Sequence, residues 1–201
     1  MTDRLKLRTA LVTLAVASAC LMRCNLWAQS SGVISLSVGD FGSYGYRTPY
    51  TEIGAGIEHR SQRTMFEGAL AFSPTHKNTV NDGYSLTGRA SGYLRVRSLF
   101  AGGGISQTRV SNSAWSKTAT RPFLTLGFDN NRVRLAIERS LPGNDPNNVQ
   151  TWIATSRLTV SRHVRVGASL YVSTFEQRLR GETFGARGLV VQVGYIMGAA
   201  Q

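Results

Sequence analysis

At 201 residues, with Lys and Arg outnumbering Asp and Glu by 23 to 11 and only 17% of positions charged, the chain is sized for one domain that buries a core or closes one small barrel. Such a basic balance would suit a nucleic-acid partner, but the amino terminus reads as an export signal and excludes that class. Both cysteines, Cys20 and Cys24, fall within that signal, so the exported chain has no disulfide and no thiolate metal site.

The signal has three parts: Arg4, Lys6 and Arg8, then an apolar run at 10–22, then Leu26-Trp27-Ala28 before Gln29. This is the layout of a secretory signal peptide, and its run is too short to span a bilayer as a helix. Residues 1–28 are therefore read as leader and 29–201 as one barrel domain. Ala17-Ser18-Ala19 offers an alternative cut that would leave Cys20 at a new amino terminus, where a lipoprotein is acylated.

No long helical pattern follows. Ten segments of alternating polarity do, at 33–38, 52–60, 63–73, 84–96, 98–109, 121–129, 132–141, 149–160, 164–175 and 184–197, and each reads as a strand. The connections at 61–62, 97, 130–131 and 161–163 are tight, whereas those at 39–51, 74–83, 110–120, 142–148 and 176–183 are long. Strict alternation of short and long places all long loops on one side of a weaving sheet, with the tight turns and both termini on the other. That is the plan of an antiparallel up-and-down transmembrane barrel of about ten strands; eight is the alternative, if 33–38 and one neighbour stay outside. Pro49, Pro74, Pro142 and Pro146 fall in the long loops and Pro122 opens a strand, so no ladder is interrupted.

Alternate side chains of a strand point to opposite faces. In the segment 84–96 one parity holds Leu86, Ala90, Leu94 and Val96, and the other Arg89 and Arg95. Along the whole chain the polar parity collects Glu52, Glu58, Glu67, Arg89, Arg95, Arg121, Asp129, Arg132, Arg134, Glu138, Arg157 and Arg165. In a membrane barrel these line the lumen as a paired charge network, with Arg89 and Arg95 facing acids such as Glu58 or Glu67. In a secreted, lipocalin-like soluble barrel that binds a small apolar ligand they face water. Two features favour the membrane. Rings on the apolar parity gather near strand ends, Phe72, Tyr84 and Trp152 by the long loops and Phe66, Phe128 and Tyr195 by the tight turns, as two bilayer interfaces select. The same parity is rich in Gly and Ala, which fill a soluble core poorly.

From Gln29 onward the architecture resembles the small outer-membrane barrels of bacteria, the group with OmpA-type membrane domains and opacity-type adhesins. The resemblance rests on strand pattern and not on a motif. It implies an outer-membrane location, delivery by the barrel-assembly machinery, a monomer, and a structural or surface-interaction role in envelope integrity or host contact. One departure is the carboxyl end, where Tyr195 is followed by six more residues instead of closing the chain.

Candidate chemistry is sparse. His59 and Ser61 have a His-x-Ser spacing seen in outer-membrane lipid deacylases, but on the turn side, away from outer-leaflet lipid. His163 sits in another tight turn. His76 shares the loop side with Asp40, Asp82, Asp145, Glu176 and Glu182, the ground for a third reading as a rim-located hydrolase. The runs Gly54-Ala55-Gly56 and Gly102-Gly103-Gly104 precede no helix and are read as packing or bending sites, not phosphate loops. Arg47, Lys77, Lys117, Arg178 and Arg180, with Arg187 beside them, are candidate contacts to lipopolysaccharide phosphates at the outer rim. No catalytic residue, metal or cofactor is assigned, and a ten-strand lumen full of Arg and Glu excludes a wide diffusion pore.

Overall fold

The computed structural model describes residues 29–43, 46–75, 83–112, 116–130, 132–144, 149–177 and 182–198. The strands in chain order are β1 (Gln29–Ser43), β2 (Tyr46–Arg60), β3 (Thr64–Thr75), β4 (Gly83–Val96), β5 (Leu99–Asn112), β6 (Ser116–Asp129), β7 (Val133–Ser140), β8 (Gln150–Thr159), β9 (Val164–Gln177) and β10 (Glu182–Met197). Each is antiparallel to its sequence neighbours, and β10 returns to pair with β1 from Gly32↔Met197 to Ser43↔Ala186, closing the barrel. The first strand belongs fully to the wall, so ten strands close the barrel and the eight-strand alternative falls.

Polarity alternation drives each strand, and exposure follows it with a period of two. The aliphatic parity points out: Ile53 is 58% exposed, Leu126 65% and Leu94 69%. The opposite parity turns in, leaving Met65 fully buried and Arg134 only 7% exposed. An exterior of Leu, Ile and Val around a charged interior is the inverse of a water-soluble protein and matches a barrel that sits in lipid. The runner-up soluble barrel would need the apolar parity inside; the faces run the other way.

The tight turns are held by local side-chain chemistry. Ser61 Oγ accepts from the Thr64 backbone N–H at 3.0 Å and lies 2.7 Å from Thr64 Oγ1. Arg97, between β4 and β5, adopts a left-handed φ of 57°. Asn130 Oδ1 caps the β6–β7 turn by accepting from Val133 N–H at 2.8 Å. The expected turn partner Asn131 lies outside the described residues.

Two expectations about the opposite end need correction. The stretches 39–51 and 110–120 are strand for most of their length: β1 and β2 pair up to Ser43↔Tyr46, and β5 and β6 up to Ser111↔Ser116. Their Gly and Ser content suggested loops, but Phe41, Tyr46, Thr48, Val110 and Thr118 favour extended backbone, and the hairpins simply continue. Consequently Pro49 and Pro74 sit inside ladders, opposite Asp40 and Tyr84. Pro122 likewise lies within β6 rather than at its start. Its carbonyl accepts Leu141 N–H at 2.8 Å, so its nitrogen faces the same side, beyond the last β6–β7 pair, Phe123↔Ser140. There the missing donor costs no ladder bond.

Candidate functional site: the charged lumen and the outer surface

The inward parity of β2, β3, β4, β6, β7, β8 and β9 places guanidinium and carboxylate groups in one polar layer system inside the wall. Glu67 on β3 is its hub. It is gripped through both oxygens by Arg134 of β7, one of the two bonds at 3.2 Å, and also accepts from Arg157 Nη1 at 3.4 Å and from the Tyr93 hydroxyl at 3.1 Å. Glu58 takes Arg165 at 3.0 Å and its own strand neighbour Arg60. Arg60 also reaches Asp129 at 3.2 Å. Higher up the lumen, Arg89 forks onto Glu138, with one bond at 3.1 Å. Glu52 accepts from the Tyr50 hydroxyl.

These contacts differ from the expected ones in their partners. Arg89 does not meet Glu58 or Glu67 on a nearby strand but crosses the lumen to Glu138, and Arg95 donates to the Ser61 carbonyl at 3.5 Å instead of to an acid. A ladder neighbour's side chain runs parallel to its own, whereas one across the lumen points at it, so long side chains meet tip to tip across the barrel. Arg132, also assigned to the network, stands exposed at the β6–β7 turn and joins no ion pair among the described residues. Arg121 faces inward and is partly exposed.

The apolar and aromatic part of the lumen filling was not identified from the sequence. Met65, Tyr93, Phe100 and Phe123 are inward and almost fully buried. Tyr93 and Phe100 meet edge to face with centroids 5.3 Å apart. Arg134 stacks 4.7 Å from the Phe100 centroid and 5.4 Å from that of Tyr93, and Arg89 lies 4.0 Å over Phe123. Such rings share their side of the strand with arginines because a guanidinium presents a flat, weakly hydrated face to them. Glycine makes the room: a Cβ at Gly104 would come within 2.7 Å of the Phe123 ring, and one at Gly127 would run into Phe100. The signal was therefore present, as aromatic residues on the polar parity facing glycines across the ladder.

Ser35, Gly54, Gly56, Ala69, Ala71 and Gly194 line a cavity of about 140 Å³ together with Glu52, Glu58 and Glu67, and Arg89, Arg157 and Arg165 reach it from β4, β8 and β9. That volume holds a few waters and no drug-sized ligand.

Outside, Phe72, Tyr84 and Trp152 point outward toward the loop end and Phe66, Phe128 and Tyr195 toward the turn end. Phe72 and Tyr84 lie side by side with centroids 5.9 Å apart. His163 stacks on Tyr195 at 5.5 Å and bonds the Ile196 carbonyl at 3.2 Å, so it anchors the turn end. His59 also faces outward, and its Nδ1 lies 2.8 Å from Ser30 Oγ on β1, whereas Ser61 is turned to Thr64. The His-x-Ser spacing thus does not bring its two members together. Among the rim candidates, Lys117 is exposed near the start of β6. Arg187 is exposed on the outward parity of β10. Lys77, His76, Asp82, Asp145, Arg178 and Arg180 lie outside the described residues, as do the side chains of Arg47, Glu176 and Glu182 and all of residues 1–28, read as a leader from the sequence, with Cys20 and Cys24.

No family model matches the chain, and no curated protein matches it. Among solved structures it is similar to Neisserial surface protein A, at 10% identity and a TM-score of 0.46 over 85% of this chain and 98% of that one. It is also similar to the CymD monoaromatic hydrocarbon channel, at 8% identity and 0.44 over 88% and 90%. The attachment invasion locus protein Ail of Yersinia pestis follows at 14% identity and 0.35, over 86% of this chain and 100% of that one. Likenesses this distant carry no functional argument, and the reading below rests on the geometry.

Proposed function

We propose that this chain is a monomeric, non-enzymatic barrel of a bacterial outer membrane, exported by its leader, with a structural or surface-interaction role. The observation that carries it is the inverted polarity: an apolar wall around the circumference, ringed at both ends by aromatics, and an interior of ion pairs and stacked arginines. A closed barrel has no free edge to satisfy, which is what strands in hydrocarbon require. The aromatic and arginine mass on β4 to β7 fills much of the interior, so passage of large solutes has no route, and stability and surface presentation remain as the roles that fit. The outward rim supports contact with lipopolysaccharide, and the barrel-assembly machinery is the expected partner during insertion.

Fractionation of cells expressing the full chain tests the reading. The protein should appear in the outer-membrane fraction and migrate faster on a gel unboiled than boiled. A soluble protein whose mobility ignores boiling would overturn it. The hydrolase reading draws on His76 and the acids that share its side of the barrel; if a purified sample cleaves a lipid or peptide and His76→Ala abolishes that, the non-enzymatic assignment is wrong.

A further inference from the structure

On the lipid-facing side of β5 to β8, two guanidiniums stand where the pattern calls for apolar residues. Arg109 shares its parity with Leu99, Ala101 and Ile105 on β5, and Arg139 shares its own with Val133, Leu135 and Ile137 on β7; both are exposed. Arg139 sits opposite Trp152 in the β7–β8 ladder, with its guanidinium 5.1 Å from the ring centroid. Arg109 Nε donates to Ser116 Oγ at 3.0 Å. Its terminal amines, and all donors of Arg139, meet no carboxylate among the described residues. The outward parity of β5 to β8 carries no Asp or Glu at all. Between the two arginines lies a strip of hydroxyls and amide, Thr118, Thr120 and Gln107, with Gln107 Nε2 held 3.2 Å from Thr120 Oγ1.

A charge facing hydrocarbon is costly at the midplane and tolerable near the interface only with an anion or water at its head. Both arginines lie toward the loop end, at the level of the upper aromatic ring, so their heads reach the lipid headgroups of the outer leaflet. We propose that the outward face of β5 to β8 is a docking surface for the phosphorylated sugar headgroup of lipopolysaccharide. Arg109 sits opposite Thr118 and Arg139 opposite Leu124, so the two lie two strands across and six residues apart along β6, on the order of 20 Å in all at ordinary strand geometry. That span calls for a headgroup of several linked sugars that carries more than one phosphate, each gripped bidentately. Thr118, Thr120 and Gln107 then face the sugar hydroxyls between them, and Trp152 holds the Arg139 plane upright at the interface. A phospholipid with a single phosphate satisfies one arginine and leaves the polar strip empty. The inference rests on the outer-membrane reading and moves its lipid contact from the loops to the wall.

The test is a titration of the folded full barrel in detergent with lipopolysaccharide, followed by tryptophan fluorescence, which Trp152 beside the site reports. The double variant Arg109→Gln/Arg139→Gln should lose on the order of tenfold or more in apparent affinity, since two charge-assisted contacts are removed. Arg109→Lys/Arg139→Lys, which keeps charge but not the fork, should fall between, and Arg132→Gln at the opposite end should bind as the parent does. Enzymatically dephosphorylated lipopolysaccharide and phosphatidylglycerol micelles of matched charge should bind weakly to all. Equal binding by the parent and the Gln double variant, or equal binding of phosphatidylglycerol, overturns the inference. Heat-modifiable mobility is recorded for every sample: a parent chain that never shifts sinks the outer-membrane reading itself, whereas a shifting barrel indifferent to the lipid sinks this inference alone.

Discussion

Removing the Glu67 carboxylate should be the most damaging single change inside this barrel. Its chief partner, Arg134, has a side chain only 8% exposed and is sandwiched against Phe100 and Tyr93. Glu67→Leu leaves that cation buried without a counter-charge, a loss of about 3 to 5 kcal/mol. Arg157 adds little, because its side chain is 31% exposed and 3.4 Å away, a geometry worth about 1 kcal/mol at most. The Tyr93 hydroxyl loses one acceptor, about 1 kcal/mol more. Against a typical total of about 5 to 15 kcal/mol, the variant sits near the edge of folding. Urea unfolding of the barrel in detergent or vesicles, read by tryptophan fluorescence and by the heat-modifiable band, measures the change. The second arm separates charge from shape: Glu67→Leu/Arg134→Met removes both charges and leaves an apolar filler among Met65, Tyr93 and Phe100, and it should recover most of the loss. A single variant that costs less than about 1 kcal/mol, or a double variant no better than the single, would refute the view that burial makes this pair interdependent.

The lipid face should be sensitive by depth: Ile137→Arg, near the middle of its outward row, should cost about 2 to 4 kcal/mol, and Leu94→Arg, two residues from a turn, about 0 to 1, as read by folding yield into vesicles. Equal penalties, or a larger one at Leu94, would mean the band is misplaced. Gly127→Ala should destabilise by about 1 to 3 kcal/mol in the same unfolding assay, because the new methyl runs into the Phe100 ring and the Leu135 carbonyl. A neutral outcome would mean that the ring packing is loose. His163→Ala should lower the unfolding midpoint modestly, by about 1 kcal/mol for a stacked ring with one bond, whereas a histidine merely in solvent would register no change.

The parity of this chain was legible because the pattern in a membrane barrel is enforced by two unlike solvents, lipid outside and ions within. Leu86, Ala90, Leu94 and Val96 against Arg89 and Arg95 needed no tertiary information to be sorted. Tight turns at 61–62, 97 and 130–131 were legible for the same reason, since a strand must reverse where its alternation stops. Partnerships across the lumen were not: Arg89 finds Glu138, forty-nine residues on, through the curvature of a closed sheet, which no local spacing encodes. Nor was the extent of the outer hairpins, because beyond the hydrocarbon the wall no longer demands apolar residues and Gly-Ser-Thr composition is shared by strands and loops. The aromatic filling of the lumen was not read at all: Phe100 and Phe123 stand on the polar parity opposite Gly127 and Gly104, and only that facing pattern marks them.

The seam between β1 and β10 carries a further consequence. Its inward side chains, Val33, Ser35, Ser37 and Gly39 on one strand and Val190, Gln192, Gly194 and Ile196 on the other, include no ionisable group. The lumen ion pairs described above that bridge different strands instead span long stretches of chain, from 49 residues for Arg89 and Glu138 to 107 for Arg165 and Glu58. Contacts of that range repay their loop entropy only after the sheet has curled. The order of assembly that follows is a zipper first and rivets late: the first and last strands join along a lumen face that holds no charge, and the ion pairs then lock a ring that already exists. On that order, loss of the Glu67 contacts should speed unfolding while leaving the rate of insertion nearly unchanged. A slowed insertion would place the rivets before the zipper.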